Sequence, residues 1–266
     1  GSITQINGAT GNDTLNIMGG SVGGIAGNAD NDVFNLSGGT ITGSINGGGE
    51  DDTVNVMGTV NLDGVTEIQG GFGTDGLTFD GWSGSIEDTV IDGWETIDFV
   101  NGSMIDLGPM TGGIQAPGGT ITIDATSMLW GGGAGVTNLL MVSLVAGETV
   151  IDGMIDLRQD QIGDLFGITS DISVLGATLL AVQFDALIAN GGPGGSDVIL
   201  ASVGAVQPGT DITLYVNPLF DGMGYTEDLI PLVALVNGAT APADAFSLEG
   251  DGLLGNYYYE LIYDES

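Results

Sequence analysis

Apolar and polar positions alternate one by one in four short runs near the start of the chain. Leu15 and Ile17 are interleaved with Thr14 and Asn16, Phe34 and Leu36 with Val33 and Asn35, Val54 and Val56 with Thr53 and Asn55, and Leu77 and Phe79 with Thr78. A period of two is what a strand buried on one face requires. Between the runs lie Gly, Asn and Asp, the residues that make tight turns. The runs also recur. Leu15, Phe34, Val54 and Leu77 stand 19, 20 and 23 residues apart, and Ile3, Val22, Ile41 and Val60 stand 19 apart at every step. A unit of about 20 residues cannot bury its own apolar face and must stack on its neighbours, which is the signature of a solenoid. The pattern therefore predicts an all-β solenoid of parallel coils. Leu15, Phe34, Val54 and Leu77 should form one internal stack, at about 4.8 Å per coil.

Beyond Phe79 the period loosens. Trp82, Ile86, Val90, Trp94, Ile97, Phe99, Ile105 and Leu107 fall in short strand-like runs, and all three Trp residues lie between 82 and 130. Exposed rings at Trp82, Trp94 and Trp130 could stack on sugars; the preferred reading is that wide, irregular coils need large side chains to fill them. From residue 157 the chain becomes bulkier and less repetitive. Leu179 to Phe184 and Thr213 to Val216 read as longer strands, NGGPGG at 190–195 as an exposed tip, and Tyr257 to Tyr263 as a last strand. The expected division is thus 1–2 as a remnant of cloning, 3–156 as coils, and 157–266 as a C-terminal cap closing the last coil. The cap is also expected to be the most stable part and the seed of folding.

Composition sharpens this picture at three points. Gly makes up 50 of 266 residues, against a usual share of about 7%, but 42% of the chain is apolar and periodic, which disordered chains are not. Asp and Glu number 35 against one cation, Arg158, with no His. Phosphate contacts need cationic side chains, so nucleic-acid binding is excluded, and anionic membrane surfaces would repel the chain. Cations or basic surfaces remain as charged partners, although acidity also serves solubility. There is no Cys, hence no disulfide or thiolate site. No signal peptide opens the sequence, so a targeting segment is expected to lie outside it. The longest apolar run, Leu139 to Ala146, is too short to span a bilayer, and the run from Ala177 to Ala189 carries Asp185.

Without His, Cys or Lys the chain cannot build a Ser-His-Asp, Cys-His or Ser-Lys nucleophile, nor an imidazole or thiolate zinc site. A glycoside hydrolase using two carboxylates stays formally open, because acids are plentiful. The sharpest local motif is an acidic turn, GATGNDTLN (8–16), GNADNDVFN (27–35), GGGEDDTVN (47–55) and GGFGTDGLT (70–78). It resembles the calcium-binding nonapeptide G-G-x-G-x-D-x-U-x, but occurs once per coil rather than in tandem. If the coils superpose, Asp13, Asp32 and Asp52 form a column on the turn edge, with Asp75 near its end and Asn12, Asn31 and Asp51 beside them. Backbone N–H groups and Asn side chains, or else calcium, must then relieve the repulsion of like charges. A Gly-Asx turn ladder is the preferred reading, so no catalytic, cofactor or metal residue is assigned.

The GNDTLN and GGTITGSING coils, followed by GDL, ATLLAVQFDA, GGSDVI, LVNG and a terminal GNYYYELIY, resemble the passenger domain of bacterial autotransporters, at its C-terminal end before the membrane barrel. Residues 157 to 263 resemble the autochaperone region. The resemblance implies a right-handed parallel β-helix with a C-terminal cap, exported across the outer membrane of a Gram-negative bacterium and displayed at the cell surface. It implies a non-enzymatic, adhesin-like stalk, monomeric, whose ligand on a host or neighbouring cell is not named. Contact with the membrane would be only through a barrel absent from this chain. The alternatives are a calcium- or glycan-binding module and, after that, the glycoside hydrolase.

Overall fold

The computed structural model describes residues 1–108, 113–131, 141–157, 165–173, 178–185, 198–202, 204–206, 212–219, 233–242, 245–248, 253–254 and 257–258. The alternating runs form the first face of a parallel β-solenoid. Its strands are Thr14–Val22, Val33–Ile41, Thr53–Met57, Gly76–Asp80 and Thr96–Val100, each hydrogen-bonded to the next. Leu15 pairs with Phe34, Phe34 with Val54, Val54 with Leu77 and Leu77 with Ile97, so the anticipated stack is present and continues to Ile121. A second inward row runs Ile17, Leu36, Val56, Phe79, Phe99, Ile123 and Ile151. Because side chains alternate across a strand, equal register puts every second residue of every coil into the same core. Leu15, the end rung of the stack, is only half-buried, while Phe34, Val54 and Leu77 are buried.

The second face is built from Ile6–Thr10, Ile25–Ala29, Ile45–Gly49, Glu67–Phe72 and Val90–Asp92. The two faces belong to one sheet because a single long strand, Ile114–Ile123, serves both. At one end Ile114 pairs with Ile91; at the other Thr120 to Ile123 pair with Thr96 to Phe99. The strand turns the corner at Pro117-Gly118-Gly119, where its register against the next coil shifts and Gly118 has φ 77°, a conformation that only Gly adopts without strain.

The step of 23 residues between Val54 and Leu77 leaves the register of the first face intact. The extra chain goes into the segment after Met57, where Val60, Leu62 and Val65 turn inward and are buried. The cross-section widens there, and a third face begins at once. Its strands are Ser83–Ser85, Met104–Asp106, Met128–Trp130, Met154–Asp156, Thr178–Asp185, Ile212–Leu219 and Phe246–Leu248, all parallel. Both sheets therefore run through residue 157 without interruption. Leu179 to Phe184 and Thr213 to Val216 lie within strands, as anticipated. Leu253–Leu254 and Tyr257–Tyr258 form a small antiparallel pair; the rest of the expected last strand, to Tyr263, and the NGGPGG tip lie outside the described residues.

Candidate functional site

The acidic turns converge on one column, and it sits differently from the position the repeat suggests. Asp13, Asp32, Asp52 and Asp75 each immediately precede a strand of the first face. The backbone N–H of Asp13 donates to Asp32 Oδ1 at 2.8 Å, that of Asp32 to Asp52 Oδ1 at 2.8 Å, and that of Asp52 to Asp75 Oδ1 at 2.7 Å. Asp75 N–H donates in turn to Glu95 Oε2 at 2.6 Å. Asp75 is thus a full member of the column. The column is also not on the turn edge: Asp32, Asp52 and Asp75 are each 1% exposed.

The cause is a glycine five residues earlier in every coil. Gly8, Gly27, Gly47 and Gly70 stack in their own row, each lying against the carbonyl of the next. A Cβ added at Gly27 would meet Asp32 Oδ2 at 2.2 Å and Gly47 O at 2.3 Å; one added at Gly47 would meet Gly70 O at 2.5 Å and Asp52 Oδ2 at 2.6 Å. The carboxylate occupies the space that a side chain on that glycine would need. Gly-x-x-x-x-Asp is therefore one structural unit, and its recurrence in all four acidic turns was the signal for burial.

Asp32, Asp52 and Asp75 each have one oxygen bonded to a backbone N–H of the preceding coil, and the Oδ2 of all four, Asp13 included, is buried without a hydrogen-bond partner. Removal from water disfavours the ionised form. It pushes Asp52 up to about 6, against the pull of its bond to the Asp32 N–H, and the neighbouring charges of Asp75, Asp32 and Glu50 push the same way. Asp75 is raised for the same first reason, with Glu95 and Asp51 adding to it. The backbone bonds oppose the repulsion between the stacked carboxylates without cancelling the effect of burial.

Asn12, Asn31 and Asp51 lie beside the column and form ladders of their own. Asn12 Oδ1 accepts from Asn31 N–H at 3.3 Å, and Asp51 Oδ1 from Thr74 N–H at 2.9 Å. Farther out, amide side chains stack on the solvent side of the first face, Asn55 donating to Asn35 and Asn35 to Asn16 at 2.9 Å each. These carboxylates are strung along the axis through backbone groups rather than gathered round a point. Among the described residues no group of three or more acids is placed to hold a metal ion.

The three Trp residues divide. Trp94 is 0% exposed and Trp82 is equally enclosed. Their indole N–H groups donate to Ile68 O at 3.1 Å and to Val60 O at 2.9 Å, which satisfies the one polar group each would otherwise bury. Trp82 packs 5.5 Å from the Phe79 ring, which stacks on Phe99 at 5.1 Å. Its own ring fills the space left by Gly84, where a Cβ would come within 2.4 Å of it. Neither ring can meet a sugar. Trp130 instead points outward from the third face and borders a shallow depression of about 250 Å³ with Ser83, Gly84, Ser85, Met104 and Asp106. Asp106 accepts the Gly108 N–H at 3.0 Å; burial nevertheless raises its carboxyl above the ordinary range.

No protein-family model, curated protein or solved structure matches the chain.

Proposed function

We propose that the chain is a non-enzymatic stalk and folding segment of a passenger exported across the outer membrane of a Gram-negative bacterium and held at the cell surface, with adhesin-like recognition lying elsewhere in the same protein. The supporting observation is the pairing of equivalent strands from coil to coil, which keeps the same rows in the core. The first face, the column and the core rows all continue from one coil to the next, and the column spends its backbone donors on holding coil to coil. Such a body is built by adding coils one at a time on an ordered end, since each contacts only its neighbours. Stepwise stacking outside a pore resists slippage back, and a chain without Cys carries no crosslinked loop through it.

Catalysis is a weaker reading on chemical grounds. The depression beside Trp130 holds one carboxylate, Asp106, among the described residues, whereas glycoside hydrolysis takes two facing each other across the bond. The test is surface display. The chain, carrying an N-terminal epitope and joined to an outer-membrane translocating barrel, should expose the epitope on intact Gram-negative cells, and removing 157–266 should abolish or sharply reduce that exposure. Retention of the folded chain in the periplasm, or display indifferent to the loss of 157–266, would overturn the proposal.

A further inference from the structure

The outward rows of the third face do not look like those of the first. On the first face the outward row beside the core reads Asn16, Asn35, Asn55, Thr78, Asp98 and Thr122, all able to hydrogen-bond to water. On the third face the register aligns Met104 with Met128 and Met128 with Met154, and in the neighbouring outward row Asp106 with Trp130 and Trp130 with Asp156. The alternate residues between them, Ile105, Leu129 and Ile155, are the buried ones. Met104 is 46% exposed, and Met128, Met154 and Trp130 are half-buried. Three thioethers therefore stack across three rungs, a span of roughly 10 Å. They lie beside an indole that has a carboxylate on each side of it in its own row.

This apolar stripe lies outside the core, whose Ile105, Leu129 and Ile155 are fully buried beneath it. Met is unbranched and polarisable and adapts to the shape of whatever lies against it, and an indole supplies a rigid anchor and a face for cations. The charge selects the partner. The chain carries a net charge of −34 with one cationic side chain in 266 residues, so an anionic partner is repelled and a cationic one drawn in. Asp106 is already desolvated enough to have its carboxyl raised, and a cation brought against it would reverse that. A neutral sugar could use Trp130 but would leave both the methionine row and the charge unanswered.

We propose that the outward face formed by Met104, Met128, Met154 and Trp130, flanked by Asp106 and Asp156, docks a basic amphipathic polypeptide segment. Its apolar side chains lie along the methionine row and its Lys or Arg side chains meet Trp130 and the flanking carboxylates. The inference stands independently of where in the cell the chain resides.

The test is calorimetric titration of the full 266-residue chain with a synthetic Leu/Lys peptide of helical amphipathic spacing. Two controls accompany it, a scrambled peptide of the same composition and an oligolysine of equal charge. The amphipathic peptide should bind at least tenfold more tightly than either control. Replacing all three methionines by Ser, the residue that Ser83 already places in that row, should lower affinity tenfold or more, and Leu at the same three positions should restore it. Trp130→Ala should weaken binding comparably, and D106N should weaken it less and flatten its salt dependence. Thermal unfolding of each variant separates lost binding from lost folding; if the Ser variant is unfolded, Trp130→Ala and D106N decide. Equal affinity for the three peptides, or wild-type affinity in the Ser and Trp130→Ala variants, would reduce the binding to the general field of an acidic protein and overturn the proposal. Binding of neutral oligosaccharides that depends on Trp130, with no binding of the peptide, would overturn it in favour of a sugar site.

Discussion

The coils before residue 80 and those after residue 82 solve the same packing problem in opposite ways. In the first set the cross-section is narrow, and the space under one corner is taken by a carboxylate resting on a glycine, coil after coil, from Asp13 to Asp75. The longer segment after Met57 begins to widen the cross-section, the third face opens at Ser83–Ser85, and the added volume is filled by Trp82 and Trp94. A polar group can serve as filler only where the backbone of the next coil offers it a donor. An indole serves where its single N–H reaches a carbonyl, as it does at Val60 and Ile68. The Trp-filled coils should therefore lose the most from truncation, and the Asp-filled coils should respond to pH.

The largest effect is expected at Trp94. Truncation to Ala removes a fully enclosed ring and its indole N–H bond to the Ile68 carbonyl, at a cost of about 3–5 kcal/mol. Trp130→Ala should cost much less, because that ring faces outward. Chemical denaturation of the two variants checks the contrast, and equal losses would erase the distinction drawn between core and outward indoles.

In the narrow coils the sharpest probe is Gly27→Ala. The added methyl would sit 2.3 Å from Gly47 O, a backbone atom that cannot step aside, and 2.2 Å from Asp32 Oδ2, so a loss of about 3 kcal/mol is expected. Adding Asp32→Gly should recover part of this and no more, since the carbonyl stays in place. A neutral Gly27→Ala would show that glycine and aspartate are not one unit.

A smaller, pH-dependent effect belongs to Asp52. An acid whose folded value lies above its unfolded one holds its proton more tightly in the folded protein. Its contribution to stability is therefore complete below the ordinary aspartate value of 3.8 and is lost as pH rises through about 6. The melting temperature should rise as pH falls from 7 towards 4. Asp52→Asn should raise stability at pH 7 by on the order of 1 kcal/mol once screening is allowed for, and should flatten the pH profile. A melting temperature that falls between pH 7 and 5 would contradict the burial of the column. The smallest effect is expected from Asn35→Ala. It breaks two amide contacts on the solvent side, to Asn16 and Asn55, and should cost about 0.5 kcal/mol; a loss comparable to that of Gly27→Ala would mean the amide ladder, not the glycine row, holds the narrow coils together.

What the sequence determined by itself was everything that depends on spacing within a coil. Leu15, Phe34, Val54 and Leu77 had to stack because side chains alternate with period two and the repeat returns each coil to the same register. Asp13, Asp32 and Asp52 had to share a column for the same reason. What only the tertiary structure decided was the direction in which a given row faces and what lies against it. The Asp column turned inward because the missing side chain of a glycine in its own coil leaves room there and a backbone N–H of the preceding coil donates to the carboxylate, a contact between residues far apart in sequence. Trp82 and Trp130 carry the same ring, yet one fills the slot of Gly84 and the other faces out, since alternation along each short strand sets them on opposite sides of the third face. The methionine row was hidden for a related reason. Met104, Met128 and Met154 are unequally spaced along the chain, and only the backbone pairing of the third face brings them into register.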